Sequence, residues 1–154
     1  MTRGEMATFL SRSFINTNPL TGSGRLDGFG VPDDFFSDVH IRKAFSYSFD
    51  WDKLIEDVYG GKAVQSLQLP MPGMIGYDPD VDHYSYDLDM AETEFKLADL
   101  DHDGIPAGDE IDGSDVWNLG FSVSIAYNEF NGVRQAIAEI LADNLAVVNP
   151  KFHV

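Results

Sequence analysis

Apolar residues recur every three or four positions after Asp38, which predicts a helix with one buried face. The apolar positions of this first helix are Ile41, Ala44, Phe45 and Phe49. Ser37 or Asp38 can cap its first turn, and Asp50 can cap a second helix directly behind it. The apolar positions of the second helix are Trp51, Leu54, Ile55 and Val58. Gly60 and Gly61 favour a stop, so the segment predicts two short helices in succession.

Two more helices and two strands are predicted downstream. A helix is expected over residues 89–98, with Met90, Phe95 and Leu97 facing the core and Glu92, Glu94 and Lys96 in solvent. Residues 120–127 alternate between apolar and small polar side chains, which is typical of a strand. Asn131 can cap a long helix with the apolar positions Val133, Ile137, Ile140, Leu141 and Leu145. A strand at 152–154 is then expected to run parallel to the first, because strand–helix–strand units favour a right-handed crossover.

The remaining stretches favour irregular structure. Residues 2–14 predict a short helix, and residues 16–34 predict a loop because they are rich in Asn, Gly, Pro and Asp. Three prolines in residues 65–82 predict an extended surface crossing. The chain therefore divides into an N-terminal part, 1–34, and an α/β unit, 35–154, with an acidic insertion at 99–115.

Composition and charge narrow the classes of function. The 154 residues are 44% hydrophobic, which suits one compact domain. A formal net charge of −16 argues against nucleic acid or an anionic membrane as a partner, because both would be repelled. The absence of cysteine excludes disulfides and thiolate chemistry. No apolar run is long enough to span a bilayer, and no export signal is visible at the start of the chain.

The sharpest local motif is an acidic loop that fits the calcium-binding pattern D-x-D-x-D-G-x5-E. Carboxylates two residues apart, a glycine for a sharp turn and a terminal glutamate are what a hard cation of this size requires. The predicted metal ligands are Asp99, Asp101, Asp103, the carbonyl of Ile105 and Glu110.

Two features set this loop apart from a paired EF-hand. Pro106 removes a backbone donor inside the loop, and the residues after Glu110 offer no exit helix. Two interpretations therefore stay open: a weak, structural calcium site of the kind found in extracellular proteins, and an acidic surface turn that binds no metal.

Catalysis has little support in the sequence. The four histidines, His40, His83, His102 and His153, lack metal-ligand spacing and lie beside no nucleophile motif, which indicates solvated surface residues. Because carboxylates are so numerous in this chain, two of them cannot be assigned as a catalytic pair unless the distance between them is known. We therefore expect a protein that is not an enzyme.

The order of motifs resembles the extracellular solute-binding proteins of family 5, the peptide and nickel receptors of ABC importers. The similar segments, which together cover roughly residues 15–154, are Asp38, Ile41, Arg42, Ala44, Phe45 and Asp50, then Gly60, Pro70–Asp78, Tyr86–Ala91, Phe121–Tyr127, Asn131–Val148 and Lys151–Val154. The resemblance implies a fragment of a periplasmic-binding-protein-like (type II) lobe, with a small mixed sheet and flanking helices. Members of the family are exported and several hundred residues long, so the resemblance also implies an internal piece of a receptor.

The resemblance implies capture of an oligopeptide or similar solute outside the membrane and its delivery to ABC permease subunits, with peripheral contact to the membrane. The strand that ends at Tyr127 would lie near the cleft between lobes, which makes Trp117, Tyr127 and Asn128 the candidate ligand contacts. Trp51, Phe45 and Phe49 are expected in the core. Arg42 is expected to pair with a nearby carboxylate.

A second class of function is a calcium-stabilised cell-surface interaction module. The acidic loop suggests it, and residues 1–14 resemble part of a surface-layer homology repeat. A receptor that carries a structural calcium loop would satisfy both hypotheses.

Overall fold

The computed structural model describes residues 21–154. A 3-10 turn at Phe35–Ser37 precedes five α-helices and two short strands in this part of the chain. In chain order these are α1 (Val39–Tyr47), α2 (Trp51–Tyr59), α3 (Leu88–Leu97), α4 (Val116–Leu119), β1 (Phe121–Ser122), α5 (Gly132–Val148) and β2 (Phe152–His153). The predicted helix at 2–14 and the surface-layer-like start lie outside the described residues.

The two predicted helices after Asp38 are confirmed with their caps. The Asp38 carboxylate accepts hydrogen bonds from the backbone N–H groups of His40 (2.6 Å) and Ile41 (3.1 Å), so it holds the first turn of α1. Asp50 caps α2 in the same way through the N–H of Lys53, at 2.8 Å. Gly60 ends α2 in the left-handed conformation, with φ 58°, which is the role that a C-terminal glycine commonly plays.

Helix α3 buries a different face from the predicted one. Met90 and Leu97 are 38% and 44% exposed, so their predicted place in the core is wrong. The residues of α3 that are buried with Phe95 are Ala91 and Glu94. Glu94 was expected in solvent, yet it is 7% exposed, because α3 packs against α1 and α1 supplies two basic partners for this carboxylate.

The sheet is shorter than the alternating pattern predicts. Strands β1 and β2 are parallel, as expected, with Phe121 paired to Phe152 and Ser122 paired to His153. The ladder extends by one more bond, from the N–H of Val123 to the carbonyl of His153. A strand needs a hydrogen-bonded neighbour along its length. Because β2 forms no hydrogen bond with the first strand beyond Val123, the pairing ends there. Among the described residues the sheet is therefore parallel and two-stranded, where a small mixed sheet was expected.

The core lies between α1, α3, α5 and the two strands. Its large side chains are aromatic, and Phe121 stacks on Phe152 with ring centroids 4.5 Å apart. Phe95 contacts both rings, and Phe35 contacts Phe121 from the 3-10 turn. Phe45 packs on the rim of this cluster, in agreement with its expected place. The core thus fixes the strands against the helices around them.

Residues 65–82 form neither helix nor strand, as their prolines predict. Arg42 was expected to pair with a carboxylate, but its guanidinium donates to the backbone carbonyls of Phe36 and Ser37, each at 2.7 Å. The 3-10 turn leaves these carbonyls free of helical partners, so the arginine satisfies them instead. Among the described residues, no helix is long and apolar enough to cross a membrane.

Candidate functional site

The acidic loop begins where α3 ends and is closed by two backbone hydrogen bonds. The N–H of Ala107 donates to the carbonyl of Ala98, and the N–H of Gly108 donates to the carbonyl of Lys96, both at 2.8 Å. Gly104 adopts φ 90° at the sharp turn, as the motif requires. The loop is therefore held at its base on the last turn of α3, and no exit helix follows until Val116.

Three of the five predicted metal ligands come together. Carboxylate oxygens of Asp99, Asp101 and Asp103 all lie within 4.8 Å of one another. Glu110 lies outside this group of oxygens, and the side chain of Ile105 is 43% exposed. Within the loop, Asp99 accepts from the N–H of Gly104 at 3.1 Å, and Asp103 accepts from the N–H of Ile105 at 2.7 Å. These bonds leave one oxygen of Asp99 and one of Asp103 for a cation. Both oxygens of Asp101 accept hydrogen bonds, from the N–H of Asp103 at 3.3 Å and from the Ser114 hydroxyl at 3.2 Å.

Two carboxylate oxygens of the loop are shielded from solvent and lack a hydrogen-bond partner. They are Oδ1 of Asp99 and Oε1 of Glu110. A shielded oxygen without a partner costs free energy, and a bound cation would remove that cost. The donor set, which consists of oxygens alone, fits calcium and magnesium and does not suit softer metals.

Negative charge accumulates around Glu110. Desolvation raises the pKa of its carboxyl, and the charge of Asp103, a side-chain hydrogen bond with Asp112 and the charge of Asp101 act in the same direction. The pKa of Asp112 is lowered, chiefly by the side-chain and backbone hydrogen bonds that it accepts from Ser114. A cation in the loop would relieve the repulsion that raises the pKa of Glu110.

Asp115 supports the loop and was missed by the sequence analysis. Its side chain is fully buried, accepts from the N–H of Leu100 at 2.8 Å and caps α4 through the N–H of Val116. Leu100 stands between two of the predicted ligands, so this carboxylate ties the acidic loop to α4. The available signal was an aspartate directly before an apolar turn.

The three predicted solute contacts do not form one site. Trp117 precedes β1 and is half-buried, with its ring against Phe152 at 6.0 Å and under the Lys96 ammonium at 4.7 Å. Tyr127 and Asn128 follow β1 and are exposed. The side-chain Oδ1 of Asn128 accepts a hydrogen bond from the Arg134 guanidinium at 3.1 Å, an interaction that the sequence analysis did not anticipate.

Tyr127 lines a concave region of about 300 Å³ near the end of β2. Its lining residues are Ser124, Ile125, Tyr127, Ala138, Glu139, Ala142 and Val154. In open α/β sheets, ligands bind in the crevice beyond the carboxyl ends of the strands. Tyr127 therefore stands where such a crevice would be, whereas Trp117 supports the strands from their other end.

A second cleft, of about 450 Å³, lies beside α1 and the start of α2. Phe45, Phe49 and Trp51 line it. Phe45 also packs against the core, whereas Phe49 and Trp51 are less enclosed than their expected place in the core implies. The rings of Phe49 and Trp51 meet edge to face at 4.7 Å. Both rings are half-buried and line the cleft.

One histidine departs from the expected solvated state. His40 is 32% exposed, and its Nδ1 lies 2.7 Å from Oε2 of Glu94. His102 is largely exposed and lies 3.8 Å from Asp34. Among residues 21–154, the group of side chains close enough together to hold a metal ion contains aspartates and no histidine.

Comparison with known proteins gives two matches. The family described as bacterial extracellular solute-binding proteins, family 5 Middle, matches residues 8–154. The Dipeptide-binding protein of Escherichia coli (strain K12) is 39% identical over 64 residues, which cover 42% of this chain and 12% of that relative. The matched segment thus spans a small part of the relative's length. No solved structure shows a significant match.

Proposed function

Because this chain belongs to the family 5 bacterial extracellular solute-binding proteins, we propose that it forms part of the second lobe of an oligopeptide receptor. The intact receptor captures a peptide or related solute outside the membrane and delivers it to ABC permease subunits. It does so by closing two lobes around the solute, without catalysis. The observation that carries this proposal is the family match across residues 8–154.

The fold supports this assignment through β1, α5 and β2. A parallel pair joined by a helix is the repeating unit of α/β domains, and a type II periplasmic-binding-protein lobe is built from such units. The register Phe121 to Phe152 places the aromatic core directly beneath this pair. We propose that the sheet continues, in the intact receptor, into strands supplied by the rest of the lobe.

We propose that the solute contacts Tyr127 and Asn128. Both follow β1, both are exposed, and Tyr127 lines the concave region near the end of β2. The bond from Arg134 fixes the Asn128 amide with its N–H₂ group turned away from the arginine. One N–H of that group donates to the backbone carbonyl of Glu129 at 3.5 Å. A peptide backbone carbonyl would accept from the other N–H, and such backbone hydrogen bonds are a common source of affinity in peptide recognition. Trp117 contributes by holding Phe152 in place and does not contact the solute.

A chimeric receptor tests this function. Residues 8–154 would replace the corresponding segment of the Escherichia coli Dipeptide-binding protein, and dipeptide binding would be measured by titration calorimetry. We expect the folded chimera to bind dipeptide, and Tyr127→Ala with Asn128→Ala to weaken binding about tenfold or more. Ile111→Ala, at a fully exposed site in the acidic insertion, serves as the control and should leave binding unchanged. A chimera that folds and does not bind would contradict the proposal.

A second proposal concerns the acidic loop. We propose that it binds calcium through Asp99, Asp101, Asp103, the Ile105 carbonyl and Glu110, and that the ion stabilises this part of the receptor. The clustered aspartate oxygens and the shielded, unpartnered oxygens of Asp99 and Glu110 support it. Glu110 would swing inward to complete the site. A calcium-stabilised cell-surface module remains the alternative that the same loop supports.

Thermal unfolding with and without calcium tests the loop. For a weak extracellular site with a dissociation constant of about 1 mM, roughly 10 mM calcium adds about 1.4 kcal/mol to the free energy of unfolding. We expect a higher melting temperature in calcium than in an equal concentration of magnesium. Asp101→Ala with Asp103→Ala should remove this rise, whereas Asp109→Ala should keep it. An unchanged melting temperature of the wild-type chain in calcium would refute the site.

A further inference from the structure

The cleft beside α1 and the start of α2, called here the aromatic cleft, combines aromatic walls with one acidic side chain. Its volume of about 450 Å³ lies within the range of small-molecule sites, about 300 to 1,000 Å³. The aromatic residues that line it are Phe45, Phe49, Trp51 and Tyr84. Among the described residues, its lining includes one carboxylate, that of Asp82, and no lysine or arginine. The aromatic cleft is therefore mostly apolar and carries a negative charge.

Ring-to-ring contacts hold the aromatic walls in place. The rings of Phe49 and Trp51, where α1 gives way to α2, meet edge to face with centroids 4.7 Å apart. The ring of Tyr84 meets the ring of Tyr47 in α1 at a right angle, with 5.0 Å between centroids. The backbone N–H of Asp87 donates to the carbonyl of Tyr47 at 3.0 Å, which ties the segment that carries Tyr84 to α1. A site that is ordered before binding loses less entropy when a ligand binds.

Asp82 decides the charge of the ligand that this cleft suits. Its side chain is exposed, and within residues 21–154 no basic side chain forms an ion pair with it. The formal net charge of −16 also favours a cation at this surface and repels an anion. An apolar protein segment laid over the cleft would desolvate the Asp82 carboxylate without pairing it, which costs free energy.

The aromatic walls decide the kind of cation. Aromatic rings attract cations through their negative faces, and groups of rings are a recurrent way to bind quaternary ammonium ligands. A metal ion would find a single carboxylate here, whereas calcium takes six to eight oxygen ligands. A primary ammonium group is strongly hydrated, so mostly apolar walls favour a cation that is covered by methyl groups.

We propose that the aromatic cleft binds a small organic cation that carries a quaternary ammonium group. The cation lies against the rings of Trp51 and Tyr84, and Asp82 supplies the opposite charge. The walls of the cleft come from this chain alone, so binding does not depend on a second lobe or on the proposed peptide contacts at Tyr127 and Asn128. Because the cleft is open to solvent, we expect a dissociation constant of about 1 to 10 mM.

Nuclear magnetic resonance on the full chain tests this proposal with choline as the probe. The chain has two tryptophans, so the indole N–H signal of Trp51 reports the cleft and that of Trp117 reports the core. Choline is titrated to about 20 mM at constant ionic strength. We expect the Trp51 signal to shift until it saturates and the Trp117 signal to stay in place. The uncharged analogue 3,3-dimethyl-1-butanol has the same shape, and it should bind about fivefold more weakly or less.

Variants of the lining separate the contributions of charge and ring. Asp82→Asn and, separately, Tyr84→Leu should each weaken choline binding about threefold or more. Asp80→Asn removes a charge from the same exposed segment, outside the lining, and should bind choline like the wild type.

Three outcomes overturn the proposal. The first is a Trp51 signal that choline does not shift, and the second is an uncharged analogue that binds as tightly as choline. The third is equal choline binding by Asp80→Asn and the two cleft variants. Peptide binding by the chimeric receptor is a separate measurement, so its failure would leave the aromatic cleft untouched.

Discussion

His40 Nδ1 lies 2.7 Å from Oε2 of Glu94, and this contact joins α1 to α3 across 54 positions of sequence. The other oxygen of Glu94 lies 3.5 Å from Nζ of Lys43, on the next turn of α1. Glu94 is nearly buried, whereas both basic side chains keep about a third of their surface exposed. The nearly buried carboxylate of Glu94 is therefore stabilised by both His40 and Lys43.

We predict that Glu94→Ala lowers the free energy of unfolding by about 2 kcal/mol, because it removes hydrogen bonds to a charged group and a packed side chain. Urea denaturation followed by circular dichroism measures the change. Glu92→Ala, on the same helix, removes an exposed pair with Lys96 and should cost about 0.5 kcal/mol or less. Equal losses in the two variants would show that the contact with His40 and Lys43 contributes no more than a surface pair.

Gly120 sets the entry into β1. It adopts φ 78°, and a Cβ atom there would lie 2.4 Å from the carbonyl oxygen of Lys151, which accepts the first hydrogen bond of the parallel pair. We predict that Gly120→Ala lowers the free energy of unfolding by about 3 kcal/mol, through a strained backbone and a displaced β2. Gly60→Ala has a similar φ but no atom within 4 Å of the added Cβ, so it should cost about 1 kcal/mol. Equal losses in the free energy of unfolding for Gly120→Ala and Gly60→Ala would contradict a steric clash between the added Cβ atom and Lys151.

Asp115 makes stability depend on pH. Burial raises the pKa of its carboxyl, and the charges of Asp101 and Asp99 act in the same direction, although hydrogen bonds from Val116 and Leu100 oppose the rise. The folded state therefore holds this proton more tightly than the unfolded state does. The contribution of Asp115 to stability is present in full at low pH and falls as the pH rises above 3.8 through the folded-state pKa.

Asp115→Asn removes this titration. We predict that the stability of the wild-type chain relative to the variant decreases as the pH rises from about 4 towards about 6. Urea denaturation at several pH values without calcium measures the difference. Asp109→Asn, at an exposed site of the same loop, controls for the loss of one charge. If the wild-type chain instead became more stable relative to Asp115→Asn as the pH rises, the folded state would favour Asp115 as a carboxylate.

Local interactions were predictable from the sequence. Asp38, Asp50 and Asn131 each cap a helix through a backbone N–H two or three residues away, so the pattern contains both partners. The acidic loop is likewise a contiguous motif, and the three aspartates predicted as metal ligands lie close together as their spacing predicts. The order of motifs also identified the family, which the match over residues 8–154 confirms.

Long-range interactions were not predictable. Glu94 is buried because α1 brings two basic side chains to it, and nothing near Glu94 in the sequence indicates this. The alternation at residues 120–127 predicted a strand over this whole range. The length of β1, however, depends on its neighbour β2, which forms hydrogen bonds with it no further than Val123. Trp117 was grouped with Tyr127 by sequence, although the two residues flank β1 at its two ends.

We propose that solute capture needs two lobes and that this chain provides part of one. Titration of a panel of dipeptides to pentapeptides into the folded 154-residue chain, followed by calorimetry, tests it most directly. We predict no binding heat at peptide concentrations up to about 1 mM, because the surface around Tyr127 is open and no second lobe faces it in the part of the chain that the structure describes. Binding with a dissociation constant of about 1 µM would contradict it.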